Sequence, residues 1–339
     1  MTLVQETITE DSVAFELRPA LEKDLQAVVT LINEASMDQI GRPVTNEREV
    51  GDDWRIPSFD LAGSTRVAET GDGRLIGYIE VWDHEPLPVT NWVWARVHPD
   101  FLNYGVGTAL MDWAERRLQD TLTRVPDNLQ VVFRSAAPGG HEPTKDLFLQ
   151  RDMSFVRRFW HMMIEFNETP PPPVWPDGIT LSSFAEQDDL RAIVRADNEA
   201  FSDHWGYVPQ PEDELVDEFQ EWIDSDSTFD PKLWFLAMDG EEVAGICLCA
   251  RERAEYPGSA WVRTLGVRRP WRRRGLGLAL LHHAFGAFYD EGKQGVGLGV
   301  DSASLTGATR LYEKAGMSII KEDDAYEKEI RPGRDLSKK

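Results

Sequence analysis

Apolar and polar positions run along the chain in two similar series. Residues 261–267 form a short apolar segment compatible with a strand, and residues 278–285 a largely apolar helix-like run. Helix-like segments are also expected over 24–35 and 188–201. Each is followed by a strand-turn-strand, around Gly71-Asp72-Gly73 in the first series and Asp239-Gly240 in the second. The order strands, helix, strand, helix, strand therefore occurs twice. No run approaches the ~18 apolar residues that a membrane-spanning helix requires.

Landmarks register at nearly constant spacing. Gly105-Val106-Gly107-Thr108-Ala109-Leu110 matches Gly275-Leu276-Gly277-Leu278-Ala279-Leu280 at an offset of 170. Arg74-Leu75-Ile76-Gly77 matches Glu242-Val243-Ala244-Gly245 at 168, and Leu147-Phe148-Leu149-Gln150 matches Leu311-Tyr312-Glu313-Lys314 at 164. A chain of 339 residues exceeds the size at which one core usually stops growing. We therefore expect two copies of one α/β fold built on a mixed sheet, spanning 1–169 and 177–339. The four consecutive prolines at 170–173 break helix and sheet alike and mark a linker over 170–176.

Composition changes this picture at one place. The chain carries 59 Asp plus Glu against 36 Lys plus Arg, a net charge of −23, yet five arginines fall between 268 and 274. They precede Gly275-Leu276-Gly277 and the helix-like run. A helix start leaves its first N–H groups unpaired, glycine lets an anion approach them, and arginine adds forked donors. The turn reads as a diphosphate cradle. A dinucleotide fingerprint fails because Leu280 stands where the third glycine belongs, and the Gly-Lys-Ser/Thr of a P-loop is missing.

Arg272-Arg273-Arg274-Gly275-Leu276-Gly277 resembles the Arg/Gln-x-x-Gly-x-Gly/Ala motif of the GNAT superfamily of acyl-CoA-dependent N-acyltransferases. The stretch from Val300-Asp301-Ser302 to Leu311-Tyr312-Glu313-Lys314-Ala315-Gly316-Met317 resembles that family's strand, loop and helix ending in Leu-Tyr-Glu-Lys-x-Gly-Phe. The tandem layout is similar to the mycothiol synthase group, in which only the C-terminal copy acetylates. The resemblance implies two tandem GNAT folds, with acetyl-CoA as co-substrate on Leu265, Gly266, Val267, Arg272, Arg273, Arg274, Gly275, Leu276, Gly277, Leu278 and Ser304. It further implies that a splayed strand at 265–267 offers an amide to the thioester carbonyl and pairs with the pantetheine arm.

Acyl transfer to an amine needs a neutral nucleophile, a polarised carbonyl and a proton for the departing thiolate. A phenol of pKa ~10 suits a thiol of pKa ~8.5, which makes Tyr312 the candidate acid. Glu255 and His204 are the candidate bases. In the N-terminal copy Leu102, Asn103 and Tyr104 replace the arginines and Phe148 replaces Tyr312, so that copy is expected to be catalytically degenerate. Ser304 stands where tandem relatives often have Asn, and the mycothiol precursor is accordingly not carried over as the acceptor.

No metal constellation is evident among the seven scattered histidines, and Cys247 and Cys249 alternate on one strand as reduced core thiols. The N-terminus lacks a basic start and apolar stretch, so a cytoplasmic protein is expected. The negative charge opposes nucleic acid and anionic membranes and suits a small cationic amine. Trp54, Trp82, Trp92, Trp94, Trp205 and Trp222 read mainly as core. The expected activity is transfer of acetyl from acetyl-CoA to a primary amine by a monomer or homodimer. The alternative is a non-catalytic acyl-CoA-binding sensor or scaffold.

Overall fold

The computed structural model describes residues 13–304 and 307–337; Leu305 and Thr306 of the second motif and the N-terminal segment read above lie outside them. The first series comprises β1 (Phe15–Arg18), α1 (Leu25–Ile40), α2 (Glu47–Trp54), α3 (Leu61–Ser64), β2 (Thr65–Thr70), β3 (Leu75–Trp82), β4 (Thr90–Val97), α4 (Val106–Thr121), β5 (Val131–Pro138), α5 (Glu142–Gln150) and β6 (Ser154–Glu165). The second comprises β7 (Ile179–Ser183), α6 (Phe184–Gln187), α7 (Leu190–Phe201), α8 (Glu212–Ser225), β8 (Trp234–Asp239), β9 (Glu242–Ala250), β10 (Ser259–Val267), α9 (Leu276–Asp290), β11 (Gly295–Asp301), α10 (Ala308–Lys314) and β12 (Ser318–Arg331).

All twelve strands join one mixed sheet in the order β1-β2-β3-β4-β5-β12-β6-β11-β10-β9-β8-β7. The two series exchange their last strands. β12, from the end of the second, pairs with β5 of the first, while β6 of the first pairs with β11 of the second. The proline segment thus separates the repeats along the chain, whereas the sheet runs through both without a break.

Helices cover each half on both faces. α4 packs through Val106, Leu110, Met111 and Ala114 on one face of the first half, and α1 and α2 bury Val28, Leu31, Val50 and Trp54 on the other. In the second half α9 and α10 pack on β9–β11, and α7 and α8 on the opposite face. Gly77 and Gly245 show why the paired glycines recur. A Cβ on Gly77 would lie 2.7 Å from Val106 and 3.0 Å from Leu110, and one on Gly245 3.2 Å from Leu280. Each lets the central helix lie close on the sheet.

The duplication extends to side chains that tie a helix to a strand end. In the second half Arg268 Nε donates to Glu199 of α7 at 2.6 Å; in the first, His98 Nε2 lies 3.1 Å from Glu34 of α1.

Candidate active site

Each half contains a parallel strand pair that parts midway. β10 pairs with β11 only over Ser259–Val262, and a register shift against β9 falls between Val262 and Thr264. Beyond it, residues 264–267 bond to β9 on one side and leave the β11 side open, as the expected splay requires. β4 and β5 part in the same way after Trp92 and Arg134.

The second opening leads into a cleft of about 710 Å³. Leu265, Gly266, Val267, Arg272, Arg273, Gly275, Leu276, Gly277, Leu278, Ser304, Tyr312 and His204 all line it. Gly275 caps α9 at φ 87°, a left-handed conformation that glycine adopts without strain. The first helical bond is donated by Ala279 to the Gly275 carbonyl, so the amides of Leu276, Gly277 and Leu278 precede the ladder and carry the helix's positive end. These features fit a diphosphate. Gly105 repeats the cap in the first half at φ 79°, and Asn103 at φ 67° mirrors Arg273 at φ 64°. The turn's backbone has been kept where its cations have not.

The arginines differ from the expectation of a guanidinium-lined phosphate site. Arg272 is fully engaged by the protein: it donates to Asp203 at 2.6 Å, to the Ala200 carbonyl at 2.7 Å and to the Val267 carbonyl at 3.0 Å. It bolts the end of α7 to the end of β10. Arg274 turns outward toward the Asp177 carbonyl at 3.3 Å and lies outside the cleft lining, which leaves Arg273, exposed at the turn, as the free cation of the cleft among the described residues. The donors that this turn leaves open to the cleft are therefore chiefly backbone amides.

Tyr312 is buried at 7 % exposure on α10. Burial, and secondarily the nearby Cys247, hold its phenol above the ordinary range, so it stays protonated. Cys247 and Cys249 are free, with sulfurs 3.6 Å apart. His204 follows α7 and packs edge-on against Phe201 at 4.5 Å. Burial lowers its pKa, with Asp203 and Asp301 opposing, so its imidazole is neutral near pH 7.

His204 also lines a second cavity, of about 790 Å³, between the two halves. The two cavities share Gly299, Val300 and Asp301 as well. Glu255 lines this central cavity and not the cleft at the start of α9. Its side chain, 2 % exposed, is 3.1 Å from Lys321 and 3.3 Å from Arg42. Burial would raise its pKa, but Lys321, His161 and Arg253 outweigh that and lower it. Tyr256 bridges the cluster, its hydroxyl 3.2 Å from Glu255 and 2.6 Å from His161 Nδ1.

The reading of the tryptophans as core needs correction for Trp92, Trp94 and Trp205, while Trp82 both packs on a core cluster and reaches the cavity. Trp82, Trp92, Trp94 and Trp205 line the central cavity, whereas Trp54 and Trp222 pack in the hydrophobic clusters and do not line it. Strand register explains it: Tyr78 lies opposite Arg96, Glu80 opposite Trp94 and Trp82 opposite Trp92, so six side chains of β3 and β4 share one face. The signal in the sequence was the alternation Trp92-x-Trp94-x-Arg96, in which polar and aromatic residues interleave with Val93, Ala95 and Val97.

The acetyltransferase (GNAT) family pattern matches residues 32–131 and 184–317, one segment in each half. The chain belongs to the GNAT family. It is an acyl-CoA-dependent N-acetyltransferase with two GNAT folds in tandem. A mycothiol acetyltransferase of Streptomyces scabiei is 28 % identical over 331 residues, 93 % of this chain and 95 % of the relative. A crystal structure of a GCN5-related N-acetyltransferase from Sphaerobacter thermophilus superposes with a TM-score of 0.80 at 34 % identity, covering 96 % of this chain and 98 % of that one. A tandem GNAT protein of the clavulanic acid pathway shares the fold, with a TM-score of 0.70 at 13 % identity over 95 % of this chain and all of that one.

Proposed function

We propose that the C-terminal repeat of this GNAT enzyme acetylates a primary amine of a small molecule that enters through the central cavity. The observation that carries the reading is convergence. Among the described residues the second cleft alone combines the open helix amides, an unpaired strand edge, a buried phenol and a wall, at His204, Gly299, Val300 and Asp301, held in common with the inter-repeat cavity. In the first cleft Phe148 stands at the phenol's place.

Acetyl-CoA is the donor, its diphosphate on the amides of Leu276, Gly277 and Leu278 and its pantetheine arm along the open edge of β10. An amide of that edge polarises the thioester carbonyl. The acceptor's neutral nitrogen attacks the carbonyl carbon, His204 takes the nitrogen's proton, and the C–S bond breaks as Tyr312 protonates the leaving sulfur. His204, at the junction of the two cavities, suits the base better than Glu255, which Lys321, Arg42 and Arg253 hold in its anionic, weakly basic form.

The test is thiol release from acetyl-CoA across polyamines, aminoglycosides, amino sugars and amino acids. Tyr312→Phe is expected to lower turnover by ~10²-fold or more with CoA affinity nearly unchanged. Unchanged turnover removes Tyr312 from the mechanism, and acetyl-CoA binding without turnover on any amine favours a binding module.

A further inference from the structure

The wall of the central cavity farthest along the chain from the second cleft is built by α1, α2, β3 and β4. It carries two carboxylates, Asp53 on α2 and Glu80 on β3, among the indoles of Trp82, Trp92 and Trp94. Glu80 is held in place by a buried chain. Trp54 Nε1 donates to the Tyr78 hydroxyl at 3.1 Å, and that hydroxyl donates to Glu80 at 2.7 Å. Trp92 and Trp94 stack at 5.4 Å with their planes 7° apart, and Trp94 keeps 36 % of its surface accessible.

What this wall lacks is countercharge. Among the described residues no Lys or Arg lies within ion-pair distance of Asp53 or Glu80, although each of the other three carboxylates lining the cavity has such a partner: Glu255 and Asp323 share Lys321, and Asp301 has Arg157. Arg96 on the neighbouring strand is the nearby cation. Its Nη1 donates to the Ala95 carbonyl at 2.8 Å, and its buried Nε is without a partner. Arg96 acts on Glu80 and Arg263 on Asp53 only from beyond pairing distance, so neither carboxylate is neutralised by a direct ion pair. The two carboxylates repel each other across the wall, so it favours either a proton or a cation from outside. Burial, Glu80 and Glu49 push the Asp53 carboxyl up to about 8, with Arg263 opposing and Asp52 adding to the rise. Asp53 is open to the cavity nonetheless, so a cation can reach it.

We infer that the acceptor carries a second cationic group, seated between Asp53 and Glu80 against the indole faces of Trp92 and Trp94, so that the preferred substrate is a small diamine or polyamine. The inference rests on the reading of the central cavity as the acceptor's entry. Carboxylate pairing and cation–π contact are the two forms of recognition available to an ammonium there, and both are lost by an acceptor with a single amine. The carboxylates bind one end and the reacting nitrogen meets the thioester at the other. They are specificity residues and take no part in the chemistry.

The experiment compares full-length protein with the Asp53→Asn, Glu80→Gln double variant, a nearly isosteric change. Steady-state kinetics with acetyl-CoA use linear α,ω-diamines of increasing length and the monoamines of matched length. The best diamine is expected to have a KM lower than its monoamine by ~10-fold or more, about 1.4 kcal/mol. The variant is expected to erase that difference while leaving the monoamine's KM and the turnover number within about twofold. Equal KM values for diamine and monoamine in the unaltered protein, or a variant that weakens both acceptors alike, overturn the inference. Calorimetric titration of the diamines without acetyl-CoA decides the matter independently of turnover. Diamine binding that the variant abolishes, in a protein that acetylates nothing, upholds the subsite and overturns the transferase reading; turnover of monoamines with no diamine binding does the reverse.

Discussion

His204 and His161 are both neutral imidazoles, and pH separates their tasks. If His204 takes the proton of the amine, the acid limb of kcat/KM follows its pKa, which burial places below the free imidazole's ~6.5. His204→Ala is expected to cost ~10²-fold in kcat and to abolish that limb in a pH–rate profile. His161 acts on stability. Burial first, then Lys321, Arg253 and Arg42, lower its pKa to about 3, with Glu255 opposing. Above ~6.5 the ring is neutral in folded and unfolded chain alike. As pH falls below that value the unfolded chain takes up a proton that the folded one refuses, so stability drops by ~1.4 kcal/mol per pH unit until the folded pKa is reached. Melting temperatures between pH 7 and 5 are therefore expected to fall more steeply for the unaltered protein than for His161→Gln. Of these two residues only His204 was legible, because it lies in a compact polar and aromatic cluster after a helix. His161 looks like any strand residue in the sequence; its role depends on Glu255, Tyr256 and Lys321, brought to it from elements far along the chain.

The turn from β10 into α9 depends on how α7 is held as much as on its own glycines. Arg272 donates from all three guanidinium nitrogens to Asp203, Ala200 and Val267, a fork that lysine cannot reproduce. Arg272→Lys is expected to let the end of α7 drift from β10, raising the KM for acetyl-CoA by ~10-fold while leaving much of the melting temperature intact, since a partly exposed ion pair contributes ~1 kcal/mol or less. Local chemistry made this turn readable: two glycines before an apolar run marked a strand-to-helix turn, and the helix begins at Leu276, two residues before the apolar run suggested. What spacing could not reveal is which arginine faces inward, since that depends on Asp203 and the Ala200 carbonyl. Nor could it reveal that Trp92 and Trp94 line a cavity. An aromatic alternation on a strand looks the same whether its face meets a helix or an opening, and here the opening exists because β4 and β5 part.

The exchange of β6 and β12 makes one folding unit of two sequence repeats. β6 pairs with β11 from Gly295↔Glu165 to Asp301↔Phe159, and β12 is held between β5 and β6 along most of its length. Each half thus completes its sheet with the other's last strand, and separating them would break three strand pairings and expose edges of four strands at the middle of the sheet. The constant offsets that revealed the duplication said nothing of this, for strand order is set by pairing between residues as far apart as Gln130 and Glu329, whose side chains meet at 2.6 Å. The prolines at 170–173 carry none of the pairing that holds the halves, and residues 171, 172 and 174 are exposed. A protease site placed there should therefore be cut without loss of structure. After cleavage the two fragments are expected to elute as one species at the volume of the intact chain and to part only in denaturant. Unfolding should remain a single transition, now with a midpoint that rises with protein concentration because two chains must meet to refold. Two eluting species in native buffer, or two transitions of the uncut chain, would show that the halves are stable alone and that the exchanged strands do not couple them.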